Sequence, residues 1–531
     1  MKFDTLSFAN SGIFSKIDTA YAQDDAFLLS LVQYPPTLDG LKASIAIRKT
    51  YYTDRIILTN TISKQYEDLK IKSEIVHEQI QKLEQQDTFT VITAHQPVLF
   101  TGPIYFIYKA LSAIKLSMLL NEHQTHKIIP VFVIGGEDHD KEEINHLHIF
   151  NKKIVWETAQ KGACGRFAID DLEHVVQDLF QILGESTNAL RLKQMIELAF
   201  SPGRTYAQAT MSFLHQLLGK FGLLVVNMDE VSFKDKFKEI ITDEILQHTS
   251  KNIIEKTQIK IQDAGYKPAT YLRDINLFYL IDDHRVRIEI DGDCYIIQEL
   301  NKRLTKEELI LEIEQYPERF SPNVNMRPLF QELIFPNIAY IGGGGELAYW
   351  MERKQHFEHY GIPFPVLVRR DSAIWIDKNT SGKLEKLQLD VIDFMGDLEL
   401  LINKFLEQNT DQQLDIAPEK DKIEVTLLQI VDKAQKIDPT LKGAFEAESI
   451  KILKMIESLG SRIVRAEKQK QDIHIKQIRQ VKEKLFPNNV LQERHDNFIQ
   501  LYLHYGDDLF EILLNQSDPL RKVLKIIRDE G

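Results

Sequence analysis

The hydrophobic and polar positions divide the chain into three regimes. Up to residue 85 the pattern is polar and helical, most clearly in KQYEDLKIKSEIVHEQIQKLEQQ. From 86 to 376, apolar runs of strand length alternate with helical stretches. DTFTVITA (87–94), KIIPVFVIGG (127–136), GLLVVNM (222–228), NIAYIGG (337–343) and FPVLVRR (364–370) read as buried strands from their β-branched content. HQPVLFTGPIYFIYKALSAIKLSMLL follows the first, with Pro103 suited to a helix's first turn; TYAQATMSFLHQLLGKF and ELAYWMERKQHFEHYG are helical too. Apolar strands separated by helices predict a parallel, doubly wound α/β sheet. Two stretches, about 147–200 and 230–320, are richer in β pattern and charge and read as inserted subdomains.

The third regime, 377–487, is made of helix formers. Asp438-Pro439 reads as a cap and first-turn proline, and the next proline is Pro487. An uninterrupted helix between them would span ~70 Å. Ile452, Met455, Leu459, Ile463, Ala466 and Ile473 recur at alternating three and four spacing, broken by Lys470. That spacing predicts a coiled-coil arm pairing two copies of the chain, the alternative being an intramolecular bundle with helices at 381–436. Residues 488–531 are expected to return as helices onto the sheet.

Composition narrows the function classes. A chain of 531 residues exceeds one core, and its 43% hydrophobic and 27% charged residues are those of a globular protein. A net charge of -13 disfavours nucleic acid as the partner, because phosphate binding needs a basic face. No apolar run approaches the roughly 20 residues that cross a bilayer, and MKFDTLSFANSG lacks signal-peptide regions, so a cytoplasmic protein without membrane contact is expected. Cys164 and Cys294 form no CxxC and read as structural.

In an open parallel sheet, ligands bind beyond the carboxyl ends of the strands. That rule gathers His95-Gln96 with the Thr101-Gly102-Pro103 turn, GGEDHD, GGGGE and Arg369-Arg370-Asp371. Gly342, Gly343, Gly344 and Gly345 stand between a strand and a helix N-terminus, where backbone N–H groups and the helix dipole suit an anion. The run matches neither GxGxxG nor GxxxxGK[ST]. His95 and Lys109 are candidates to neutralise phosphate or an oxyanion, with Thr101 and Gly102 opening the helix to the ligand. Glu137, Asp138, His139 and Asp140 admit three uses: metal ligation, for which no HxxxH or facial triad exists; proton transfer by His139 or Glu137; or pairing of Glu137 and Asp138 with a substrate ammonium. A plain acidic helix cap before KEEINHLH competes with all three. No metal site is expected.

Taken together, TAHQPVLFTGPIYFIYKALSAIKL, IPVFVIGGEDHDKEEINH, FSPNVNMRPLFQELIFPNIAYIGGGGELAYW, PFPVLVRR and LFPNNVLQERHDNF resemble the bacillithiol synthase (BshC) family, in order from about 90 to 510. The chain departs at His95-Gln96, where members often carry Gln-Gln, and at Val133, often Trp. The resemblance implies a Rossmann-like core similar to that of class I aminoacyl-tRNA synthetases, with inserted connecting subdomains and a long C-terminal coiled coil that forms a homodimer. It implies a cytoplasmic ligase that joins L-cysteine to the amine of glucosaminyl malate, the final step of bacillithiol synthesis. Such a reaction needs an activated carboxylate, which points to ATP or ADP, with Mg2+ only as its counter-ion and no permanent cofactor. On this reading the glycine turn, His95 and Lys109 bind anions, Glu137 and Asp138 hold an ammonium, and His139 carries the proton. Arg327 would fork onto a malate carboxylate with help from Asn325. Gln492 and Arg494 form a second anionic-ligand site or anchor the arm, anchoring being favoured. Rival classes are a nucleotidyl transferase or ligase for another acid and amine, and a non-catalytic coiled-coil scaffold.

Overall fold

A computed structural model describes residues 1–123, 126–409 and 415–529. The chain forms two compact units: one of 1–3, 375–492 and 527–529, the other of Asp4–Ile374 and Glu493–Ile526.

The larger unit is built on five parallel strands, β1 (Thr88–His95), β2 (Lys127–Ile134), β3 (Leu224–Asn227), β4 (Asn337–Gly342) and β5 (Val366–Arg369), in the order β5-β4-β1-β2-β3. All five were anticipated, because strands covered on both faces are apolar at nearly every position; Val91, Val131, Val225, Ile341 and Val368 are fully buried. One core layer packs Leu41 and Ile45 of the helix Leu38–Arg48, with Ala113 and Leu116 of α1 (Tyr105–His123), against β1, β4 and β5.

The strand order reverses between β1 and β4, and the register aligns the ends there: His95 lies opposite Ile134, Ile134 opposite Asn227, and Gly342 opposite Arg369. A crevice for a ligand therefore opens where β1 and β4 diverge.

Three expectations need correction. The first 85 residues are not all helical: K-F-D-T-L-S forms a strand, Lys2–Ser7, before six helices. The stretch 147–200 is mainly helical after the hairpin His146–Ile149/Lys152–Val155, with helices Glu173–Leu183 and Thr187–Ala199. The proline at 103 does not open α1, because Phe100, Thr101 and Gly102 all have positive φ and the helix begins at Tyr105. Gly102 is obligatory in that turn, since a Cβ there would stand 2.4 Å from Val98 Cγ1.

In the smaller unit, α2 (Ala417–Ile437) and α3 (Leu441–Lys470) form an antiparallel hairpin tied by Lys420 and Glu457 at 2.6 Å, and α4 (Asp472–Leu485) follows. The single helix expected between Asp438 and Pro487 is interrupted at Gln471 (φ -94, ψ 17), beside Lys470, where the apolar spacing also fails. Asp438 accepts hydrogen bonds from the backbone N–H and hydroxyl of Thr440 and forms the hairpin turn, so α3 starts at Leu441. Although α3 packs on α2, Met455, Leu459 and Ile463 remain 59%, 51% and 43% exposed. Among the described residues no helix is long and apolar enough to cross a membrane.

Candidate functional site

At the divergence of β1 and β4 lies a cavity of about 420 Å3, walled by the ends of β1, β2, β4 and β5, by residues 322–331, and by Arg285 from the second insertion. Its wall is divided by charge. Arg327, Arg370 and Arg494 supply three guanidinium groups and Arg285 a fourth, 3.6 Å from Asp138, while Glu137, Asp138, Glu143 and Glu346 supply carboxylates.

Arg370, missed as a site residue, is buried at the end of β5. One terminal nitrogen donates to Glu493 Oε1 at 2.7 Å and the other to the Asp371 carbonyl at 2.6 Å, whereas Nε has no partner among the described residues. Glu493 is held in turn by Ser372 Oγ and Ala373 N. With both terminal nitrogens held by the chain, Arg370 brings a fixed positive charge to the cavity wall. Arg327 meets Tyr349 Oη at 3.2 Å and lines the same cavity. Burial and the neighbouring Arg370 lower the affinity of Arg494 for its proton, so an anion there is favoured by both guanidiniums.

The glycine turn works differently from expectation. Glu346 itself occupies the helix N-terminus: Oε2 accepts from Gly343 N at 2.9 Å, and both oxygens meet Lys109 Nζ at 2.8 and 2.9 Å. Tyr340 Oη donates to Oε1 at 2.8 Å. Burial would raise the Glu346 carboxyl, but Lys109 and the Gly343 N–H outweigh it and hold it at about 2. Lys109, wholly buried and also bonded to the Ala94 carbonyl, is lowered by burial to about 8. The helix dipole is thus already answered by a carboxylate from within the chain, and Lys109 positions that carboxylate instead of meeting a ligand. Of the four glycines, Gly343 and Gly345 line the cavity, Gly342 ends β4, and Gly344 is a packing glycine whose Cβ would fall 2.1 Å from the Asp18 carboxyl.

His95, at the tip of β1, donates from Nδ1 to the Gln96 carbonyl at 2.9 Å and accepts at Nε2 from Tyr105 Oη at 2.8 Å. Burial, then the charge of Lys109, lowers it to about 4. The imidazole is therefore neutral at neutral pH, a hydrogen-bonding wall group without charge to offer an anion. Its NMR titration is expected to show a midpoint near 4. The associated stability is present above the ordinary histidine range of about 6.5 and lost as pH falls toward 4; a midpoint at 6.5 would refute this environment.

Around GGEDHD the structure separates what the sequence joined. Glu137 faces the cavity but pairs with the buried Lys234 at 2.5 Å, and Lys234 reaches Asp229 at 3.0 Å. Its expected ammonium partner is thus supplied by the chain. Burial keeps the Glu137 carboxyl above its ordinary range despite Lys234. Asp138 is half exposed; burial would raise it, but hydrogen bonding to His139 and the charge of Arg285 bring it to about 2, leaving a firm anion at the rim. His139 lies outside the cavity lining, with Nδ1 2.8 Å from Arg285 Nη1, so its expected place as proton carrier does not match its position.

Two further expectations are not met, and Gln492 takes the anchoring one of its two expected roles. Asn325 sits behind the wall, donating to Asn276 Oδ1 and the Tyr271 carbonyl and accepting from Arg353, while its neighbour Asn323 faces the cavity. Thr101 and Gly102 are roofed by the C-terminal segment: Asn497 Nδ2 donates to the Phe100 and Gly102 carbonyls at 3.0 and 2.6 Å. Gln492 bonds the backbone N–H and C=O of Trp375, an anchor and not a ligand group. Tyr105, Glu143, Arg285, Glu346 and Tyr349 are wall residues that sequence reasoning passed over. The signal for Glu346 and Arg370 was their place directly after glycine turn and strand; Arg285 has no local signal.

Two family models match the chain: "Bacillithiol biosynthesis BshC, N-terminal Rossmann-like domain" over residues 1–371, and "Bacillithiol biosynthesis BshC, C-terminal coiled-coil domain" over 373–528. Similar proteins include those named "Putative cysteine ligase BshC" from Flavobacterium johnsoniae (34% identical, covering 99% of this chain and 100% of the relative) and Christiangramia forsetii (35%, 99% of each). A similarly named protein of Bacillus mycoides is 28% identical over 94% of this chain and 95% of its own. A solved structure named as a "putative arginyl t-RNA synthetase" from Campylobacter jejuni covers 88% of this chain and 100% of its own at 9% identity and a TM-score of 0.21, and carries no weight for the fold.

Proposed function

The chain belongs to the bacillithiol biosynthesis BshC family, and from that membership we propose that it joins the carboxyl of L-cysteine to the amine of glucosaminyl malate, completing bacillithiol. The observation that carries this reading is the divided wall of the cavity. Arg327 suits a malate carboxylate, because the planar fork matches carboxylate geometry, and Arg370 and Arg494 line the same cavity for a second anion. Asp138, half exposed at the rim, is an anion able to hold the cysteine ammonium alongside Arg285.

As the new C–N bond forms, the sugar amine must lose a proton. Glu137 is the acceptor in this scheme, since burial raises its carboxyl and it faces the cavity, whereas Glu346 and Asp138 are held too low to keep a proton. Neutral His95 and Tyr105, whose N–H and O–H are spent on the Gln96 carbonyl and on His95 Nε2, wall the reacting carbonyl without adding charge. A nucleotide, ATP or ADP with Mg2+ as its counter-ion, would when bound supply the activation of the cysteine carboxyl. Arg370 and Arg494 are the groups fitted to its phosphate, whereas the glycine turn, filled by Glu346, is not. Calorimetry is expected to show glucosaminyl malate binding in competition with free L-malate. Absence of binding, or binding indifferent to malate, would overturn the reading.

We also place a homodimer seam on α3, where Met455, Leu459 and Ile463 form an exposed apolar row. Leu459→Glu is expected to shift sedimentation from dimer to monomer. An unchanged coefficient would remove this seam.

A further inference from the structure

The main cavity has a neighbour. A second cavity of about 340 Å3 shares His95, Gln96, Tyr105, Glu143 and Arg494 with it, so these five side chains stand between the two spaces. At the partition, Gln96 Nε2 donates to Glu143 Oε2 at 3.0 Å, while Gln96 Oε1 is buried with no partner among the described residues. The remaining wall is marked by three histidines. His146 and His148 alternate with buried Leu147 and Ile149 along one strand, and so project from the same face. The segment carrying His495 is laid over that strand by the bond from Asn497 N to the His148 carbonyl at 3.0 Å. The His148 and His495 rings stack at 4.0 Å, with His146 edge-on to His148 at 5.3 Å.

The two cavities differ in chemistry. The main one opposes guanidiniums to carboxylates. In the second, burial and then the neighbouring imidazoles lower His148 to about 4, and burial lowers His146 as well. His146 and His148 are therefore neutral at neutral pH; His146 Nδ1 is engaged by Asn145 Oδ1 at 3.2 Å, whereas His148 offers one N–H and one ring nitrogen. Flat rings, the Glu143 carboxylate and the Arg494 guanidinium are groups that recognise hydroxyls on a ring. We propose that the second cavity is a subsite for a pyranose ring, the sugar part of a substrate whose charged parts lie in the main cavity. The proposal rests on the ligation reading above. In glucosaminyl malate the amine and the malate stand on adjacent ring carbons, so both can enter the main cavity from one edge of the sugar. The opposite edge, with its hydroxyls, then faces His146 and His148, across the cavity from the Gln96–Glu143 partition.

The test is titration calorimetry on full-length wild type, His148→Ala and His148→Phe, with glucosaminyl malate, L-malate and methyl glucosaminide as probes. Each variant is expected to weaken glucosaminyl malate by about tenfold or more, as for lost hydrogen bonds to a hydroxyl, while L-malate changes by less than about twofold. Equal losses for glucosaminyl malate and L-malate, or no loss in either variant, would overturn the subsite. If wild type does not bind glucosaminyl malate, the ligation reading fails by itself. Methyl glucosaminide then decides the subsite: binding by wild type that His148→Ala abolishes supports it, and no binding overturns it.

Discussion

Replacing Arg327 with Ala is expected to weaken glucosaminyl malate binding by on the order of 30-fold or more, while cysteine binding stays within about threefold. Removing one partner of a charge-assisted, partly desolvated contact costs about 2–5 kcal/mol. Arg327 is the cleanest of the three guanidiniums to remove. Its side chain meets Tyr349 Oη, whereas Arg370 also neutralises the fully buried Glu493 and its loss would disturb the fold. Arg327→Lys retains the charge but not the fork, and an intermediate affinity is expected. Equal loss for both substrates in Arg327→Ala would detach this residue from malate recognition, and calorimetry with each ligand separately reads the difference.

The largest stability effect is expected at Lys109. Lys109→Met leaves the Glu346 carboxylate without its ammonium, and breaking one side of a buried pair costs about 3–5 kcal/mol. Because the Glu346 side chain is 26% exposed, the lower end applies. The double variant Lys109→Met/Glu346→Gln is expected to recover part of the loss, since no uncompensated charge remains. Urea denaturation followed by tryptophan fluorescence checks both, Trp350 being stacked on Tyr340 beside the pair. The pH dependence has a definite sign. With Glu346 held at about 2, below the ordinary value of 4.5, its contribution is fully present above about 4.5 and is lost as pH falls toward 2. The loss is on the order of 3 kcal/mol and is absent in Glu346→Gln. A Lys109→Met variant as stable as wild type would show that the pair does not hold the glycine turn.

The sheet was legible because its strands carry their own signature. Residues 88–94, 128–134 and 337–342 are apolar or β-branched at nearly every position, which only a sheet covered on both faces requires. Knowing the strands, the carboxyl-end rule brought His95, Glu137, the glycine turn and Arg370 into one neighbourhood, where the structure has them. What the sequence could not convey was which partner each charge takes. Lys109 and Glu346 are 237 positions apart, so a lysine near a glycine turn looked like a phosphate ligand. Lys234 neutralises Glu137 from outside the motif, and Arg285 reaches His139 from 146 positions away. Asn323 and Asn325 differ by two positions, yet one faces the cavity and the other is locked behind it by Asn276 and Arg353. That distinction depends on a turn, not on residue type. In the arm, the spacing of Met455, Leu459 and Ile463 was visible, but the break at Gln471 was not: lysine and glutamine are good helix formers, and local propensity gives no reason to stop there.

In the proposed ligation, one cavity brings a cysteine carboxyl to the amine of glucosaminyl malate. Its most direct test is mass spectrometry of the purified full chain incubated with L-cysteine, glucosaminyl malate and ATP, and with each omitted in turn. A new thiol of the mass of the amide is expected, formed only when both cysteine and glucosaminyl malate are present and lost with Arg327→Ala at limiting glucosaminyl malate. Nucleotide cleavage that proceeds equally without glucosaminyl malate, with no such thiol formed, would contradict it.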